Sequence, residues 1–339
     1  MKIVFVSNSL SGGGAERSIN TLANELISYD YDVTQIVLNN SAQDLVKNLA
    51  HLVEIKREWK AGIFSTFFRF MIFNFYLIKL KPKILILNCE LAELYGAFSF
   101  FSGKIIAVEH TPKPWKDREK IGLLVRWVLR ARRASWVKVS SLIQIWPYKN
   151  KTATTIENPI AQFKRRSSFE NKRIDQIVYL GRFTTQKQTS ILPSIAKFSK
   201  KKLVLIGTGD LLKSQLQECH EKNVEVISHG FVNDPWSLVL PNSLLLVPSA
   251  YEGDGMVVVE AIMRNVPFLI SDIPEFRRFG LPERNYCSEL DDFIKSISEY
   301  EDDLEKLEIP DGIFHALLSE RNPRYISHQW VTYLDSMIR

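Results

Sequence analysis

The chain has 339 residues, of which 45% are hydrophobic and 24% are charged. This length accommodates two α/β domains, and the composition excludes disordered and fibrous proteins. Three cysteines, Cys89, Cys219 and Cys287, lie far apart without metal-ligand spacing and are predicted to be free thiols in a reducing compartment. The first apolar run ends by Ser7, so no signal peptide is predicted.

Charge is distributed unevenly along the chain. Residues 1–160 carry 22 basic and 13 acidic side chains, whereas the remainder carries 22 and 25, for a net charge of +6. The basic half could face an anionic membrane, a lipid diphosphate or a nucleic acid. Because no nucleic-acid-binding motif accompanies the charge, nucleic acid is not an expected partner.

A strand, a glycine loop and a helix open the chain. The buried run at 2–6 is followed by Gly12-Gly13-Gly14 and by a helical pattern from Ala15 to Leu26. Glycines let a backbone approach a ligand closely, although a tight turn explains them equally well. The loop lacks the Gly-x-Gly-x-x-Gly pattern, which argues against a dinucleotide site.

Two later segments of the first half could contact a membrane. Residues 62–80 are predicted to form a helix rich in phenylalanine, either buried between strands or partly immersed in a membrane interface. Residues 113–138 form a basic segment with interleaved apolar side chains, which predicts a helix with a solvated face or a membrane-surface element. Between the two segments, His110 follows the strand at 105–108 and is a candidate site residue, although a lone histidine is more often structural.

The second half repeats the pattern of buried strands that end in glycine. The strand at 177–180 leads to Gly181 and Arg182, and Lys187 follows. Arg and Lys at the carboxyl end of a strand suit a phosphate group, although such a pair is often only surface charge. The strand ending at Gly207-Thr208-Gly209 and the segment Phe231-Val232 are further candidates for ligand contacts.

The strongest site signal is the stretch that joins the apolar run 243–248 to a helix beginning at Met256. Its turn, Glu252-Gly253-Asp254-Gly255, would present backbone N–H groups and a helix N-terminus to an anion. Glu260 lies about one helical turn further on, where a carboxylate can accept hydrogen bonds from ribose hydroxyls. The alternative is that Glu252 is a helix cap and Glu260 an exposed helix residue.

Glu252 and Glu260 fit the Glu-x7-Glu motif, and the chain thereby resembles glycosyltransferase family 4, retaining enzymes with the GT-B fold. The loop Ser11 to Arg17 and the Gly181-Arg182…Lys187 pattern are similar to further motifs of that family. The resemblance implies a catalytic set and a donor-binding set. The catalytic set is Glu252, His110, Arg182 and Lys187. The donor-binding set is Gly13, Gly14, Gly181, Arg182, Lys187, Gly209, Phe231, Val232, Glu252, Gly253, Asp254, Gly255, Met256, Val257 and Glu260.

The resemblance also implies the role of each group. Glu252 would position the transferring sugar, Glu260 would hold the ribose, and Arg182 with Lys187 would neutralise the leaving diphosphate. His110 would lie near the sugar. The family's longer glycine-containing stretch after the second Glu is replaced here by the short segment 281–290, and Asn265 stands where the family often has Gly.

The predicted fold is α/β: two Rossmann-like domains of GT-B type facing across a cleft. The expected divisions are an acceptor domain at 1–157, a donor domain at 158–322 and a terminal helix at 323–339 that crosses back to the first domain. Within the acceptor domain, residues 137–140 are predicted to be the last strand, and residues 162–176 a linker.

The predicted reaction is retaining transfer from a nucleoside diphosphate sugar, with UDP expected, to a glycan on a polyprenyl diphosphate carrier in O-antigen or capsule synthesis. Neither a metal nor a cofactor is expected, and the protein is predicted to lie on the inner face of a bacterial cytoplasmic membrane. A GT-B nucleotide-sugar epimerase and a membrane- or nucleic-acid-binding protein without enzymatic activity remain alternatives.

Overall fold

The computed structural model describes residues 1–10, 13–39, 50–55, 63–148, 153–161, 163, 165 and 173–337. The chain divides into two units, Met1–Ala161 together with Arg321–Arg339, and Gln162–Glu320. Most of the predicted linker, at 162, 164 and 166–172, lies outside the described residues, as do Ser11 and Gly12 of the first glycine loop.

The first unit is built on a parallel sheet with helices on both faces. Its elements are β1 (Lys2–Ser7), α1 (Gly14–Ile27), β2 (Asp32–Val37), β3 (His51–Glu54), α2 (Ile63–Leu80), β4 (Ile84–Asn88), α3 (Glu90–Phe98), β5 (Lys104–Glu109), α4 (Glu119–Ala131), β6 (Ser135–Lys138) and β7 (Thr154–Thr155). The seven strands lie in the order β3-β2-β1-β4-β5-β6-β7. The central strands β2, β1, β4 and β5 are buried on both faces because helices cover both, which explains their continuous apolar runs.

The strand prediction at the end of the first unit was wrong. Residues 137–140 were expected to close the sheet, but β7 pairs with β6 through Val137 opposite Thr154 and Lys138 opposite Thr155. This strand has only two residues, both exposed polar threonines, so no apolar run in the sequence predicts it.

Helices α2, α3 and α4 cover one face of this sheet. Phe73 and Leu77 of α2, Tyr95 of α3 and Val125 and Leu129 of α4 share one apolar core with the strands. The connections β3–α2–β4, β4–α3–β5 and β5–α4–β6 all cross the sheet in the same direction, which places their helices on one side. The helix predicted at 62–80 thus packs one face into this core and exposes the other face to solvent.

The second unit is another doubly wound parallel sheet. Its elements are β8 (Gln176–Leu180), α5 (Leu192–Ser199), β9 (Lys202–Ile206), α6 (Leu212–Glu221), β10 (Val226–Gly230), β11 (Ser243–Val247), α7 (Met256–Arg264), β12 (Phe268–Ser271), α8 (Pro274–Arg277), β13 (Tyr286–Cys287), α9 (Leu290–Glu299) and α10 (Asp311–Glu320). The strand order is β10-β9-β8-β11-β12-β13. The order reverses between β8 and β11, which is where ligands bind in sheets of this kind.

The chain ends on the first unit. Helix α11 (Pro323–Ser336) packs against α1, and its Ile326, Trp330 and Leu334 are buried in the core formed by that helix and the sheet. Arg321, just before α11, is itself buried and donates to the carbonyl of Asn158. Among the described residues, no helix is long and apolar enough to cross a membrane.

Candidate functional site

The second unit brings two predicted site residues into contact at its switch point. The Lys187 ammonium lies 2.5 Å from Oε1 of Glu252, and the two side chains are 18% and 7% exposed. Glu252 also accepts from the Ser249 hydroxyl at 2.7 Å. Because Lys187 follows β8 and Glu252 follows β11, the pair joins the loops of the two central strands.

Backbone contacts hold these two loops together. The Ala250 amide donates to the Gln186 carbonyl at 2.8 Å, and the Gln186 side-chain amide donates to the Tyr251 carbonyl at 3.1 Å. The Glu252 carboxylate is thus positioned by its neighbours along both loops, not by Lys187 alone.

The turn before α7 depends on a left-handed glycine. Gly255, with φ of 67°, caps the helix, and a Cβ there would lie 2.9 Å from the Phe276 ring. Gly253 and Asp254 are buried, whereas Met256 and Val257 in the first helical turn are half-buried. The turn therefore has the strand–glycine–helix geometry predicted for an anion site.

Asp254 would be an unfavourable neighbour for a diphosphate if its charge were not balanced. Arg278 donates to the Asp254 carbonyl at 2.7 Å and also pairs with its carboxylate. The Asp254 side chain is 4% exposed and that of Arg278 is 14% exposed, so the pair is largely removed from water. Asp254 contributes its backbone to the turn while Arg278 neutralises its side chain.

Glu260 is buried in α7, which contradicts the alternative of an exposed helix residue. Its Oε2 accepts a hydrogen bond from the indole N–H of Trp236, a residue in the short helical turn after β10. The Arg264 guanidinium lies over the rings of Phe163 and Trp236, at 3.8 and 5.2 Å from their centroids. The indole is therefore fixed on two sides.

The remaining glycines of this unit permit close backbone contacts. A Cβ on Gly207, where φ is 133°, would lie 1.9 Å from the Gly181 carbonyl oxygen. A Cβ on Gly209 would lie 2.4 Å from the Phe183 carbonyl oxygen. The loops after β8 and β9 thus need these glycines for their own packing, whether or not they also bind a ligand.

Of three further predicted residues of the second unit, two are exposed and one is half-buried. Arg182 is exposed, and its backbone carbonyl accepts a hydrogen bond from the Tyr179 hydroxyl. Burial raises the pKa of that hydroxyl, and the negative charge of Glu252 raises it further. Phe231 is 42% exposed and Val232 is half-buried, both directly after β10. None of the three takes part in the contact between Lys187 and Glu252.

The first unit has its own switch point, between β1 and β4. Gly13 and Gly14 lie after β1, at the start of α1, where the Gly13 amide donates to Glu16 Oε2 at 2.6 Å. The other carboxylate oxygen of Glu16 accepts from the Ser9 hydroxyl at 2.7 Å. The Gly13 N–H was predicted to face the nucleotide-sugar donor, but here it donates its hydrogen bond to the nearby Glu16 side chain.

His110 follows β5 and lies beside a residue that the sequence analysis missed. Its Nε2 is 3.4 Å from Oδ1 of Asn88, the buried last residue of β4. Asn88 is followed by Cys89, which adopts a positive φ of 78° before α3. A polar side chain at the carboxyl end of an otherwise apolar strand was the signal for Asn88.

A buried charged cluster includes Glu109, the residue that precedes His110 in the chain. Arg126 of α4 pairs with Glu93 at 2.7 Å and with Glu109 at 2.6 Å, and all three side chains are at most 3% exposed. The Trp115 indole also donates to Glu93, at 2.9 Å. Burial raises the pKa of Glu109 to about 7, with Arg126 opposing the rise and Glu93 adding to it.

The comparisons with known proteins agree with this architecture. Residues 161–283 match the family model of glycosyl transferases group 1. A segment of 105 residues is 32% identical to an uncharacterized glycosyltransferase of Methanocaldococcus jannaschii, and it covers 29% of this chain and 27% of that relative. The chain thus spans about a quarter of the length of the curated relative that it matches.

Two solved structures cover nearly the whole chain. The lipopolysaccharide outer core galactosyltransferase WaaB matches with a TM-score of 0.67 at 20% identity, over 99% of both chains. Anabaena HepE in complex with UDP and glucose matches with a TM-score of 0.79 at 15% identity, over 99% of this chain and 100% of that one. Two parallel-sheet, Rossmann-like domains of this kind constitute the GT-B fold, and the predicted fold class is confirmed.

Proposed function

We propose that the protein is a glycosyltransferase that takes a sugar from a nucleoside diphosphate donor bound by its second unit. The observation that carries the proposal is the Lys187–Glu252 pair beside the Gly255 turn, at the switch point between β8 and β11. This site lies within the segment that matches glycosyl transferases group 1. UDP is the proposed nucleotide, and the UDP complex of the structurally similar HepE supports that choice.

The proposed roles follow from charge and position. The leaving diphosphate gains negative charge as the glycosidic bond breaks, so cations at that point stabilise the transition state more than the ground state. Lys187 and the exposed Arg182 supply these charges, and the turn at residues 253–256 supplies backbone donors. Glu252 would orient the sugar and Glu260 the ribose, with no metal or cofactor required.

Retention of the anomeric configuration is part of the proposal, and so is a role for His110 in the first unit near the sugar or the acceptor. Retention can be measured directly from the anomeric proton coupling in the NMR spectrum of the first product formed. An inverted product would contradict the proposed stereochemistry while leaving the transferase activity intact.

The proposed acceptor is a glycan on a polyprenyl diphosphate carrier, in the assembly of O-antigen or capsular polysaccharide at the inner face of a bacterial membrane. Its support is the exposed apolar surface and the positive charge of the first unit. Product from a labelled donor and a membrane extract should partition into organic solvent and return to water after mild acid cleavage. Label found only on water-soluble glycans would contradict a lipid-linked acceptor.

The first experiment is thermal unfolding with a panel of nucleotides, on the wild type and on Glu260→Ala. A ligand at a hundred times its dissociation constant stabilises the folded state by about 2.7 kcal/mol. We expect UDP to raise the midpoint of the wild type and Glu260→Ala to reduce the shift, with exposed Glu225→Ala as the control. If no nucleotide shifts the wild type, the proposed donor site is wrong.

A further inference from the structure

We infer that the outward surface of the helix layer α2–α3–α4 in the first unit docks on anionic phospholipid. This inference gives the proposed membrane location a defined surface and rests on that location. Large apolar side chains dominate the outward surface of both outer helices of the layer. Phe67, Phe68, Phe75 and Ile78 of α2 and Trp127 of α4 are each between 61% and 65% exposed.

The apolar side chains of α2 form a continuous stripe. Phe68, Met71, Phe75 and Ile78 recur at intervals of three and four residues, so they lie along one face of the helix. The opposite face holds Phe73 and Leu77 in the core. A helix that is apolar on both faces, with one face open to solvent, is unusual for a protein that meets only water.

Helix α4 carries the second part of the surface. Its buried face holds Val125 and Leu129, whereas Ile121, Leu123, Leu124 and Trp127 are exposed. Lys120 and Arg130 lie on the exposed side near its two ends. This arrangement of an apolar centre between cations is typical of helices that lie in the plane of a membrane interface.

The surface continues between the two outer helices. Phe98 and Phe100, at the end of α3, are 44% and 67% exposed. The Phe100 amide donates to Asn74 of α2 at 2.7 Å, and the Phe100 ring lies edge-on to Phe70 at 6.3 Å. On the other side, Arg132 after α4 donates to the Ala97 carbonyl at 2.9 Å. The end of α3 is thereby attached to both neighbours.

Charge favours lipid over a second copy of the chain. Residues 63–83 contain no acidic side chain, although they contain Arg69, Lys79, Lys81 and Lys83. The segment 113–133 exposes six cations and two anions. The six cations are Lys113, Lys116, Arg118, Lys120, Arg130 and Arg133. Two copies packed through this surface would oppose like charges, whereas an anionic bilayer attracts them.

The test is flotation of the full chain with vesicles of phosphatidylethanolamine and phosphatidylglycerol, compared with vesicles of phosphatidylcholine alone. We expect binding to the anionic vesicles that weakens with salt. Phe75→Ser and Trp127→Ser should each reduce partitioning by roughly tenfold or more, since each removes a large apolar side chain. Lys120→Gln and Arg130→Gln should each reduce it by about fivefold on the anionic vesicles only.

The second unit provides matched controls. Phe198 is 66% exposed, so Phe198→Ser removes the same kind of side chain without touching the surface. Lys197→Gln and Lys213→Gln remove exposed cations in the same way. Equal losses for the control and test variants, or equal binding to both vesicle types, would overturn the inference.

Two further readouts separate the alternatives. Light scattering that shows a dimer abolished by Trp127→Ser, with no vesicle binding, would assign the surface to a second copy and overturn the lipid assignment. UDP-induced stabilisation measured on the same variants tests the donor site separately. We expect that stabilisation to remain unchanged in the first-unit variants, because the proposed donor site lies in the second unit.

Discussion

Lys187 and Glu252 form an ion pair across the switch point of the second unit, 2.5 Å apart and mostly shielded from solvent. Both residues are required by the proposed chemistry, but for different partners: the lysine for the diphosphate and the carboxylate for the sugar. The proposed roles therefore require the donor to replace this contact with a separate contact to each side chain.

We expect Glu252→Gln to lower kcat/KM for transfer by at least about a hundredfold, as loss of one preorganised polar contact does in other active sites. The amide keeps the size of the side chain but removes its charge. The measurement is release of the nucleoside diphosphate from the donor at saturating acceptor. Glu225→Gln is the matched control, since Glu225 pairs with Lys202 at 3.2 Å in the same unit and is 72% exposed. Equal activity of the two variants would contradict the assignment of Glu252.

Trp236 is expected to act as a positioning residue for Glu260. Trp236→Phe removes the indole N–H that donates to the buried Glu260 carboxylate, but keeps an aromatic ring under Arg264. If Glu260 holds the ribose, the variant should bind UDP at least roughly tenfold more weakly, since one hydrogen bond to a charged group contributes about 1.5–3 kcal/mol. Calorimetric titration with UDP and with 2′-deoxy-UDP measures this.

The two nucleotides distinguish positioning from general destabilisation. A positioning role predicts that the wild type discriminates between UDP and 2′-deoxy-UDP and that Trp236→Phe narrows the difference. A merely structural role would weaken both nucleotides equally.

Gly207 should not tolerate a side chain. In Gly207→Ala the new Cβ would lie 1.9 Å from the Gly181 carbonyl oxygen. The alanine would also have to adopt a φ of 133°, which L residues rarely do. Backbone would have to move, so we expect a loss of roughly 2 kcal/mol or more in the free energy of unfolding. Denaturation by urea measures the loss.

Gly312, in the same unit, should tolerate a side chain and serves as the control. Gly312 lies in α10, where a Cβ meets nothing within 4 Å. We expect Gly312→Ala to gain about 0.4–1 kcal/mol, because alanine restricts the unfolded chain without straining the helix. A similar cost at both glycines would show that the close contact at Gly207 is not what limits that position.

The sequence predicted both switch-point loops because strand, glycine and helix follow one another within a few residues there. It also predicted Glu252 and Lys187, but not that they contact each other, since that contact depends on β8 and β11 being neighbours in a sheet whose strand order is not sequential. Trp236 was missed because its partner, Glu260, lies 24 residues further along the chain and no local pattern marks the pair. Asn88 is marked by its position at the end of an apolar strand, but its contact with His110, 22 residues away, is not predictable from the local sequence.

Helix α2 is apolar both on its buried face and on its exposed face, and the sequence does not show which face is which. Aromatic residues surround that helix, so no amphipathic pattern indicated which of its faces meets the sheet. The structure assigns Phe73 and Leu77 to the core and Phe75 and Ile78 to the outside, which depends on how α2 packs on the sheet.

The buried cluster of Arg126, Glu93 and Glu109 predicts how stability changes with pH. The pKa of Glu109 is raised to about 7 in the folded protein, from 4.5 without the fold. The folded state thus binds this proton more tightly than the unfolded state does. The stabilisation that comes from a protonated Glu109 is complete below pH 4.5 and is lost as the pH rises through 7.

Glu109→Gln isolates this contribution, because glutamine remains neutral at every pH. Urea denaturation of both proteins at about pH 5 and pH 8 spans the range in which the carboxyl titrates. We expect the wild type to lose stability relative to Glu109→Gln as the pH rises, since the wild type then buries two carboxylates with one guanidinium. Parallel pH profiles would mean that Arg126 keeps Glu109 ionised throughout. In that case Arg126→Met, which leaves both acids buried without their partner, should still cost about 3–5 kcal/mol.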